Sequence, residues 1–324
     1  MTHPVKWGVL GAATFARDFM ARAIHEAEGA QLVALATSSI EKAAPFQAFC
    51  PELEVFTDYD ALLASDSVDA IYIPLPNHLH VEWAHKAMDA GKHVLVEKPI
   101  AMTAGEIDGV IAKRDATGLL CAEAYMIAHH PQWARVRALV TEGVIGDLVH
   151  VDVAFSYNNA ADTGNIRNRA DTGGGAAGDI GVYAFGCARL VTGQEPEAIT
   201  STRVVREAGV DVTTEITAKF PSFAYHGIIS MRMAPYQEAR FHGSKGVIVV
   251  KTPFNARVAG QAELEIRLSD HTRIETFPAI NHYALQVENF CRTVREGAVY
   301  PWDLENAKGT QAMIDAVFAA DQGQ

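Results

Sequence analysis

A short apolar stretch that ends abruptly in charged residues constrains the fold of this chain more than any other feature. Val94-Leu95-Val96 reads as a buried strand, and Glu97-Lys98-Pro99 follows it directly. A parallel strand that is covered on both faces accepts only apolar side chains, so the charged pair is expected beyond the strand's carboxyl end. In open α/β sheets ligands bind at that edge. The alternative is an ordinary strand exit with a solvated Lys98.

The pattern of strands and helices divides the chain into two parts. With 324 residues the chain exceeds the size of a single core, so two domains are expected. Six short apolar strands alternate with helices up to Glu123, which predicts a Rossmann domain with a doubly wound parallel sheet over residues 1–123. Longer alternating strands then predict a second α/β domain over residues 124–324, with a large, mostly antiparallel open sheet. Its predicted strands are Leu148–Tyr157, Ala198–Val205, Val212–Phe220, Ala224–Met233, Gly246–Lys251 and Leu264–Leu268.

Charge and cysteine usage limit the class of protein. The formal net charge is −12, whereas nucleic acids and anionic membranes require a basic face. The four cysteines are scattered, which is typical of reduced thiols in a cytosolic protein rather than of a disulfide framework or a zinc site. The amino terminus lacks a signal peptide's apolar core, and no apolar run approaches the ~20 residues of a membrane span. We therefore expect a soluble, cytoplasmic protein.

The first strand, Val5 to Leu10, runs into Gly11-Ala12-Ala13-Thr14-Phe15 and then into a helical pattern. In this context a glycine-rich turn binds a dinucleotide pyrophosphate on helix-terminal N–H groups. Only the first glycine of that fingerprint is present, and alanine replaces the other two. The turn is thus a candidate for binding NAD or NADP, and an ordinary strand-to-helix turn is the alternative.

The second strand ends in Thr37-Ser38-Ser39, and Lys42 follows one helical turn later. NAD enzymes usually carry an acid here that accepts the ribose 2′-hydroxyl. No acid stands there, and three hydroxyls with a lysine suit a 2′-phosphate, which favours NADP. Ser39 as the cap of the next helix is an alternative, and the two roles are compatible.

The loop after the fourth strand contains Pro76-Asn77-His78 and, two residues later, His80. Two neighbouring histidines can indicate a metal site, but no further ligand cluster accompanies them. We therefore predict no metal, and we expect Pro76, Asn77 and His80 to line the cofactor crevice.

A glycine-rich run, Gly173-Gly174-Gly175-Ala176-Ala177-Gly178, leads to Asp179 and Tyr183. These two residues are four apart and thus lie on one face of a helix start. Tyrosine, with an ordinary pKa near 10, becomes an acid–base catalyst only when a cation stabilises the phenolate, and Lys98 is the candidate cation. The alternatives are helix capping by Asp179 and core packing by Tyr183.

These motifs together resemble the Gfo/Idh/MocA oxidoreductase family over the whole chain. The matching segments are Trp7–Ala13, Pro76–His78, Gly91–Pro99, Glu123–Met126, His130–Gln132 and Gly173–Tyr183. Tyrosine at position 183, where many relatives have histidine, resembles the branch that contains glucose–fructose oxidoreductase, NADP-dependent D-xylose dehydrogenases, dimeric dihydrodiol dehydrogenases and 1,5-anhydrofructose reductase.

The resemblance implies specific roles for residues of this chain. Lys98 is expected to polarise the reacting hydroxyl or carbonyl, Tyr183 to transfer the proton and Asp179 to orient the sugar. Further residues are expected near the cofactor, and they are Glu97, Pro99, Glu123, Arg167 and Tyr283. The resemblance also implies a homodimer or higher oligomer formed through the second domain's sheet.

The sequence therefore predicts an NAD(P)-dependent oxidoreductase that acts on a sugar or sugar-like alcohol or carbonyl. A nucleotide-sensing regulator on the same scaffold is the competing interpretation. It has no need for both Lys98 and Tyr183, whose joint presence favours the enzyme. A dihydrodiol-type dehydrogenase is a third interpretation and differs only in the pocket lining.

Overall fold

The computed structural model of the chain describes residues 3–256 and 258–322. It divides into two compact units. One unit contains the chain up to His129 together with Asn281–Lys308, and the other contains His130–Ile280 together with the chain from Gly309 onward. Each unit has one sheet.

The bounds of the elements follow. The strands are β1 (Val5–Leu10), β2 (Ala30–Ala36), β3 (Glu54–Phe56), β4 (Ala70–Ile73), β5 (His93–Glu97), β6 (Cys121–Ala124), β7 (Leu148–Asn158), β8 (Ala198–Glu207), β9 (Val210–Lys219), β10 (Ala224–Ser230), β11 (Arg232–Gly243), β12 (Gly246–Val250), β13 (Ala262–Leu268) and β14 (Thr272–Phe277). The helices are α1 (Ala21–Glu26), α2 (Ala44–Gln47), α3 (Tyr59–Leu63), α4 (His80–Asp89), α5 (Ala104–Thr117), α6 (Pro131–Thr141), α7 (Val182–Thr192), α8 (His282–Glu296) and α9 (Leu304–Gln322).

The sheet of the first unit has the strand order β3-β2-β1-β4-β5-β6, and all its pairs are parallel. Its central strands are apolar throughout because helices cover both faces; Val94, Leu95 and Val96 have no exposed surface. The order reverses between β1 and β4, so the residues that follow β1, β2, β4 and β5 lie at the edge where dinucleotides bind. The predicted doubly wound sheet is confirmed.

Helix α8 belongs to the first unit, whereas the predicted boundary at residue 123 assigns it to the second domain. The helix packs on α1 and β1, and its Phe290 ring lies 4.7 Å from the ring of Trp7. Trp7 and Phe290 are both fully buried, so this contact closes one side of the parallel sheet. A chain that returns to its first unit leaves no local signal at residue 123, which explains why the sequence pattern placed the boundary differently.

The sheet of the second unit has eight strands in the order β14-β13-β12-β11-β7-β10-β9-β8. Its pairs are antiparallel except for β7 with β10, which confirms a large, mostly antiparallel sheet. Helices α6 and α7 pack on one face. The other face carries Asp152, His226 and Arg240, and the Nδ1 atom of His226 lies 2.7 Å from Oδ2 of Asp152.

Two strand predictions in this sheet were wrong. The predicted strand Ala224–Met233 is interrupted at Met231, where β10 has ended and before β11 begins at Arg232. The rest of β11 was missed. Strand β14 was missed because its exposed residues, such as Arg273 and Ile274, show no apolar alternation. In the described part of the chain, the helices are all too short or too polar to cross a bilayer.

Candidate active site

The turn after β1 has the geometry of a phosphate-binding turn. Gly11 has a φ of +106°, which other residues rarely adopt, and its N–H donates to the carbonyl of Ala36 at 2.8 Å. The first backbone bond of the helix that follows runs from Arg17 N–H to Ala13 O. N–H groups ahead of Arg17 therefore point out of the helix start, as an anionic pyrophosphate requires. Ala12, Ala13 and Phe15 are half-buried and Thr14 is exposed, so the predicted segment fits a dinucleotide.

The end of β2 differs from the prediction in one respect. The Ser39 hydroxyl makes no capping bond to the helical turn that follows. It donates instead to a carboxylate oxygen of Glu41, an acid two residues further on. Thr37 is buried, whereas Ser38 and Lys42 are exposed. A carboxylate and an ammonium group are thus neighbours at the ribose end of the nucleotide edge.

The turn Glu97-Lys98-Pro99 follows β5 directly, as the sequence predicts. Its first residue, Glu97, accepts a hydrogen bond of 2.6 Å from the hydroxyl of the fully buried Tyr72, and burial raises the pKa of this carboxyl. The Lys98–Pro99 peptide bond is cis. Tyr72, a residue of β4 that sequence reasoning missed, thereby connects two neighbouring strand ends.

His80 is part of this turn's support. Its ring has no exposed surface, and its two nitrogens lie 2.7 Å from the carbonyl oxygens of Pro99 and Leu75. Burial lowers the pKa of His80 to about 4. The expected contact between His80 and a nucleotide does not agree with this burial. Pro76 and Asn77, in contrast, are partly exposed at the strand edge, where a nucleotide can reach them.

Glu123 is also a supporting residue. It is 4% exposed; one carboxylate oxygen accepts the backbone N–H of Ile100 at 3.1 Å and the other accepts the indole N–H of Trp302 at 3.0 Å. The Trp302 ring stacks on Tyr125 at 4.3 Å. The expected cofactor contact of Glu123 therefore differs from the structure, in which the carboxylate binds the chain just after Pro99.

Tyr283, near the start of α8, reaches the glycine turn. Its ring lies 5.7 Å from Phe15 and 5.6 Å from Phe19. Burial, and to a smaller extent the charge of Glu97, raise the pKa of this phenol. The Tyr283 ring therefore packs on the glycine turn, and its phenol is within electrostatic reach of the Glu97 carboxylate.

In the second unit the glycine run serves the packing of its own chain. Gly175 has a φ of +126°, and a Cβ atom there would lie 2.1 Å from Oδ1 of Asp211. The other oxygen of Asp211 accepts the Ala177 N–H at 2.8 Å, at the start of the helical segment. The Gly175 N–H donates to the carbonyl of Arg167 at 2.9 Å. The run therefore fixes the helix start and the loop that carries Arg167.

Asp179 is the buried centre of a polar network whose arginine, Arg167, is partly exposed. Its Oδ1 lies 2.8 Å from Nε of Arg167, and its Oδ2 accepts a hydrogen bond of 2.6 Å from the hydroxyl of Tyr157. The charge of Asp179 raises the pKa of Arg167, and burial followed by that same charge raises the pKa of Tyr157. Arg167 is thus a permanent cation and Tyr157 a neutral donor. Sequence reasoning missed Tyr157, although its place near the end of the long strand β7 is a usable signal.

Tyr183 lies on the first turn of α7 and is 5% exposed. Its ring packs 5.8 Å from Phe254 and 6.2 Å from Phe155. The Arg167 guanidinium is within electrostatic reach of the phenol. Within this unit Arg167 can therefore stabilise a phenolate on Tyr183, a role for which the sequence offered only Lys98.

Across residues 3–256 and 258–322, no group of three or more histidine, cysteine, aspartate or glutamate side chains has the geometry of a metal site. The four cysteines are free and buried.

Comparisons with known proteins decide the family. The profile "Oxidoreductase family, NAD-binding Rossmann fold" of Gfo/Idh/MocA matches residues 5–125, and the Gfo/Idh/MocA C-terminal domain matches residues 133–249. The chain belongs to the Gfo/Idh/MocA oxidoreductase family. It is an NAD(P)-dependent oxidoreductase, as the glycine turn and the Lys98 turn predict.

Individual relatives match over nearly the full length. An oxidoreductase of Rhizobium meliloti is 34% identical, with 97% of this chain and 96% of the relative covered. An NADP-dependent D-xylose 1-dehydrogenase of Haloferax volcanii is 32% identical, with 96% of each chain covered. The solved structure of a 3-ketoreductase from Actinomadura kijaniata with NADP and TDP-benzene matches with a TM-score of 0.88 at 30% identity and covers 98% of both chains.

Proposed function

We propose that this protein moves a hydride between a nicotinamide and a carbon of a sugar or sugar-like alcohol or carbonyl, and that Lys98 and Tyr183 handle the accompanying proton. Two relatives support the substrate class, since one is named as a D-xylose 1-dehydrogenase and the other as a 3-reductase of a dTDP-linked didehydro-dideoxyglucose. The observation that carries the proposal is the local support of each residue. Lys98 stands on a turn held by buried side chains, and Tyr183 stands beside an arginine held by Asp179.

The nicotinamide, when bound, supplies or accepts the hydride. Lys98 donates a hydrogen bond to the reacting oxygen and stabilises negative charge on it. Tyr183 gives or takes the proton at that oxygen, and the Arg167 cation favours the phenolate form.

Asp179 acts mainly through its neighbours in this scheme. Its two carboxylate oxygens already contact Arg167 and Tyr157. We therefore assign it the role of positioning these two side chains, which then orient the substrate hydroxyls.

A similar pair of residue types supports the assignment. The 3-ketoreductase has also been solved with one lysine replaced by alanine or glutamate and with one tyrosine replaced by phenylalanine. The two replaced residues are separated along that chain by nearly the same number of positions as Lys98 and Tyr183 are here.

NADP is the favoured nucleotide in this proposal, because Ser38 and Lys42 are exposed at the end of β2 and because NADP is named for the D-xylose dehydrogenase and for the 3-ketoreductase structure. We further propose a cytoplasmic homodimer. The four free thiols support a reducing compartment. The sheet face opposite α6 and α7 supports self-association, because Tyr236 and Ile274 are 51% and 59% exposed there.

An absorbance screen at 340 nm tests the function. The purified protein is given NADP or NAD with alcohols, and NADPH or NADH with the corresponding carbonyls. The panel contains aldoses, TDP-linked sugars and a trans-dihydrodiol. We expect turnover with at least one sugar. Turnover on the dihydrodiol alone would contradict the sugar assignment, and tight nucleotide binding with no turnover on the panel would favour the regulator.

A further inference from the structure

In the turn that follows β2, an acidic and a basic residue are neighbours in the sequence. Ser39 donates its hydroxyl to Glu41, and Lys42 is the next residue. Glu41 and Lys42 are both exposed. The hydrogen bond from Ser39 lowers the pKa of Glu41, which is therefore ionised at neutral pH.

The backbone fixes where this turn stands. The Thr37 N–H donates to the carbonyl of Phe56 at 2.9 Å, which anchors the end of β2 to β3. The Gly11 N–H donates to Ala36 O at 2.8 Å, which anchors it to the glycine turn. In a dinucleotide fold the 2′ group of the adenosine ribose lies at this strand end. An acid there accepts a hydrogen bond from the 2′-hydroxyl of NAD, whereas a cation there donates to the 2′-phosphate of NADP.

We propose that Glu41 is a specificity-determining residue that opposes the binding of NADP. Its carboxylate accepts the hydrogen bond of the Ser39 hydroxyl, which is then not available to donate to a 2′-phosphate. The negative charge of the carboxylate also repels the phosphate. The 2′-hydroxyl of NAD meets no such repulsion and can donate to the same carboxylate. Lys42 acts in the opposite direction, so the preference reflects the balance of two adjacent charges. This inference rests on the nucleotide binding of the proposed function and concerns only the ribose end.

The size of the effect follows from Coulomb's law. In water the repulsion between two like charges a few ångströms apart is modest, and a phosphate carries more than one charge. We expect the removal of the Glu41 charge to tighten NADPH binding about five- to tenfold at low ionic strength. Because Glu41 is exposed to solvent, salt is expected to screen its repulsion of the phosphate and to reduce this gain in NADPH affinity.

The test is the fluorescence-monitored binding of NADPH and NADH to the full-length protein. Glu41→Gln removes the charge and retains an amide oxygen that can accept the Ser39 hydroxyl. Lys42→Gln removes the opposing charge. Glu26→Gln, an exposed acid at the last residue of α1, is the control for an equal change in net charge.

We expect the ratio of the Kd for NADH to the Kd for NADPH to rise five- to tenfold in Glu41→Gln, to fall in Lys42→Gln and to stay unchanged in Glu26→Gln. A ratio in Glu41→Gln that equals that of the unaltered protein, or that moves equally in the control, would overturn the inference. Failure of the unaltered protein to bind either nucleotide is a different result, since it would contradict nucleotide binding itself and this inference with it.

Discussion

The Lys98 turn and the Asp179–Tyr183 segment are fixed in different ways. At the Lys98 turn, buried side chains contact backbone atoms: His80 lies at the carbonyl of Pro99 and Glu123 accepts the N–H of Ile100. In the Asp179–Tyr183 segment, side chains contact one another, because Asp179 joins Arg167 to Tyr157. Arg167 keeps 39% of its side chain exposed, whereas His80 has no exposed surface.

Because of this difference in contacts, we expect substitutions in the two regions to affect stability and activity differently. A buried group that binds the backbone cannot be replaced without leaving an N–H or a carbonyl unsatisfied, so the fold and the turn are affected together. In a network that is partly exposed through its arginine, water can take the place of a side chain that is removed. We therefore expect substitutions in the Asp179 network to reduce activity with little loss of stability, and substitutions around the Lys98 turn to reduce both.

The largest effect is expected from Tyr183→Phe, compared with Tyr157→Phe. The first variant removes the proposed proton donor and should lower kcat by about 10²- to 10⁴-fold, the usual contribution of general acid–base catalysis. The second removes only the 2.6 Å bond to Asp179 and should lower kcat by about tenfold, by analogy with the loss of one charged hydrogen bond. Steady-state kinetics and thermal unfolding of both variants are the measurements.

Both variants should unfold within about 1 kcal/mol of the unaltered protein, since phenylalanine retains the ring contacts. Equal losses of kcat in the two variants would show that Tyr183 has no special role in proton transfer. A large loss of stability in either variant would contradict the proposed division between the two regions.

Glu123→Gln should combine a smaller loss of activity with a loss of stability. An amide has one acceptor oxygen, so either the Ile100 N–H or the Trp302 indole then faces an NH₂ group. One buried donor left without an acceptor costs about 1–3 kcal/mol. Chemical denaturation measures this cost, and Glu52→Gln at an exposed position is the control.

The same variant tests positioning. If Glu123 holds the Lys98 turn, kcat falls while the Kd of NADPH stays near its original value, and Glu123→Asp, which keeps a carboxylate, recovers part of kcat. Lower stability with unaltered kcat would instead mean that Glu123 supports the fold without positioning Lys98.

The doubly wound parallel sheet could be predicted because burial on both faces leaves continuous apolar runs such as Val94–Val96. The capping box of α5 is also a local feature: Thr103 and Glu106 are three apart and cap each other in the structure. These features depend on neighbours in sequence. The return of α8 to the first unit depends on contacts such as that of Phe290 with Trp7, which are far apart in sequence.

The site shows the same limit. Lys98 and Tyr183 could be proposed from the sequence because their motifs are local. The partners of Asp179 were not, since Tyr157 lies 22 residues away on another element. His80 was assigned to the cofactor crevice as a polar loop residue and Glu123 through the family resemblance, whereas here both contact backbone atoms at Pro99 and Ile100. Glu41 was overlooked because the expected acid was sought at the last residue of the strand.

The most direct test of the account is Lys98→Ala, measured for nucleotide binding and for turnover on the same preparation. We expect kcat/KM to fall at least about 10²-fold and the Kd of NADPH to change less than about threefold, because Lys98 acts on the reacting oxygen. Turnover equal to that of the unaltered protein would contradict the proposal that Lys98 binds the reacting oxygen.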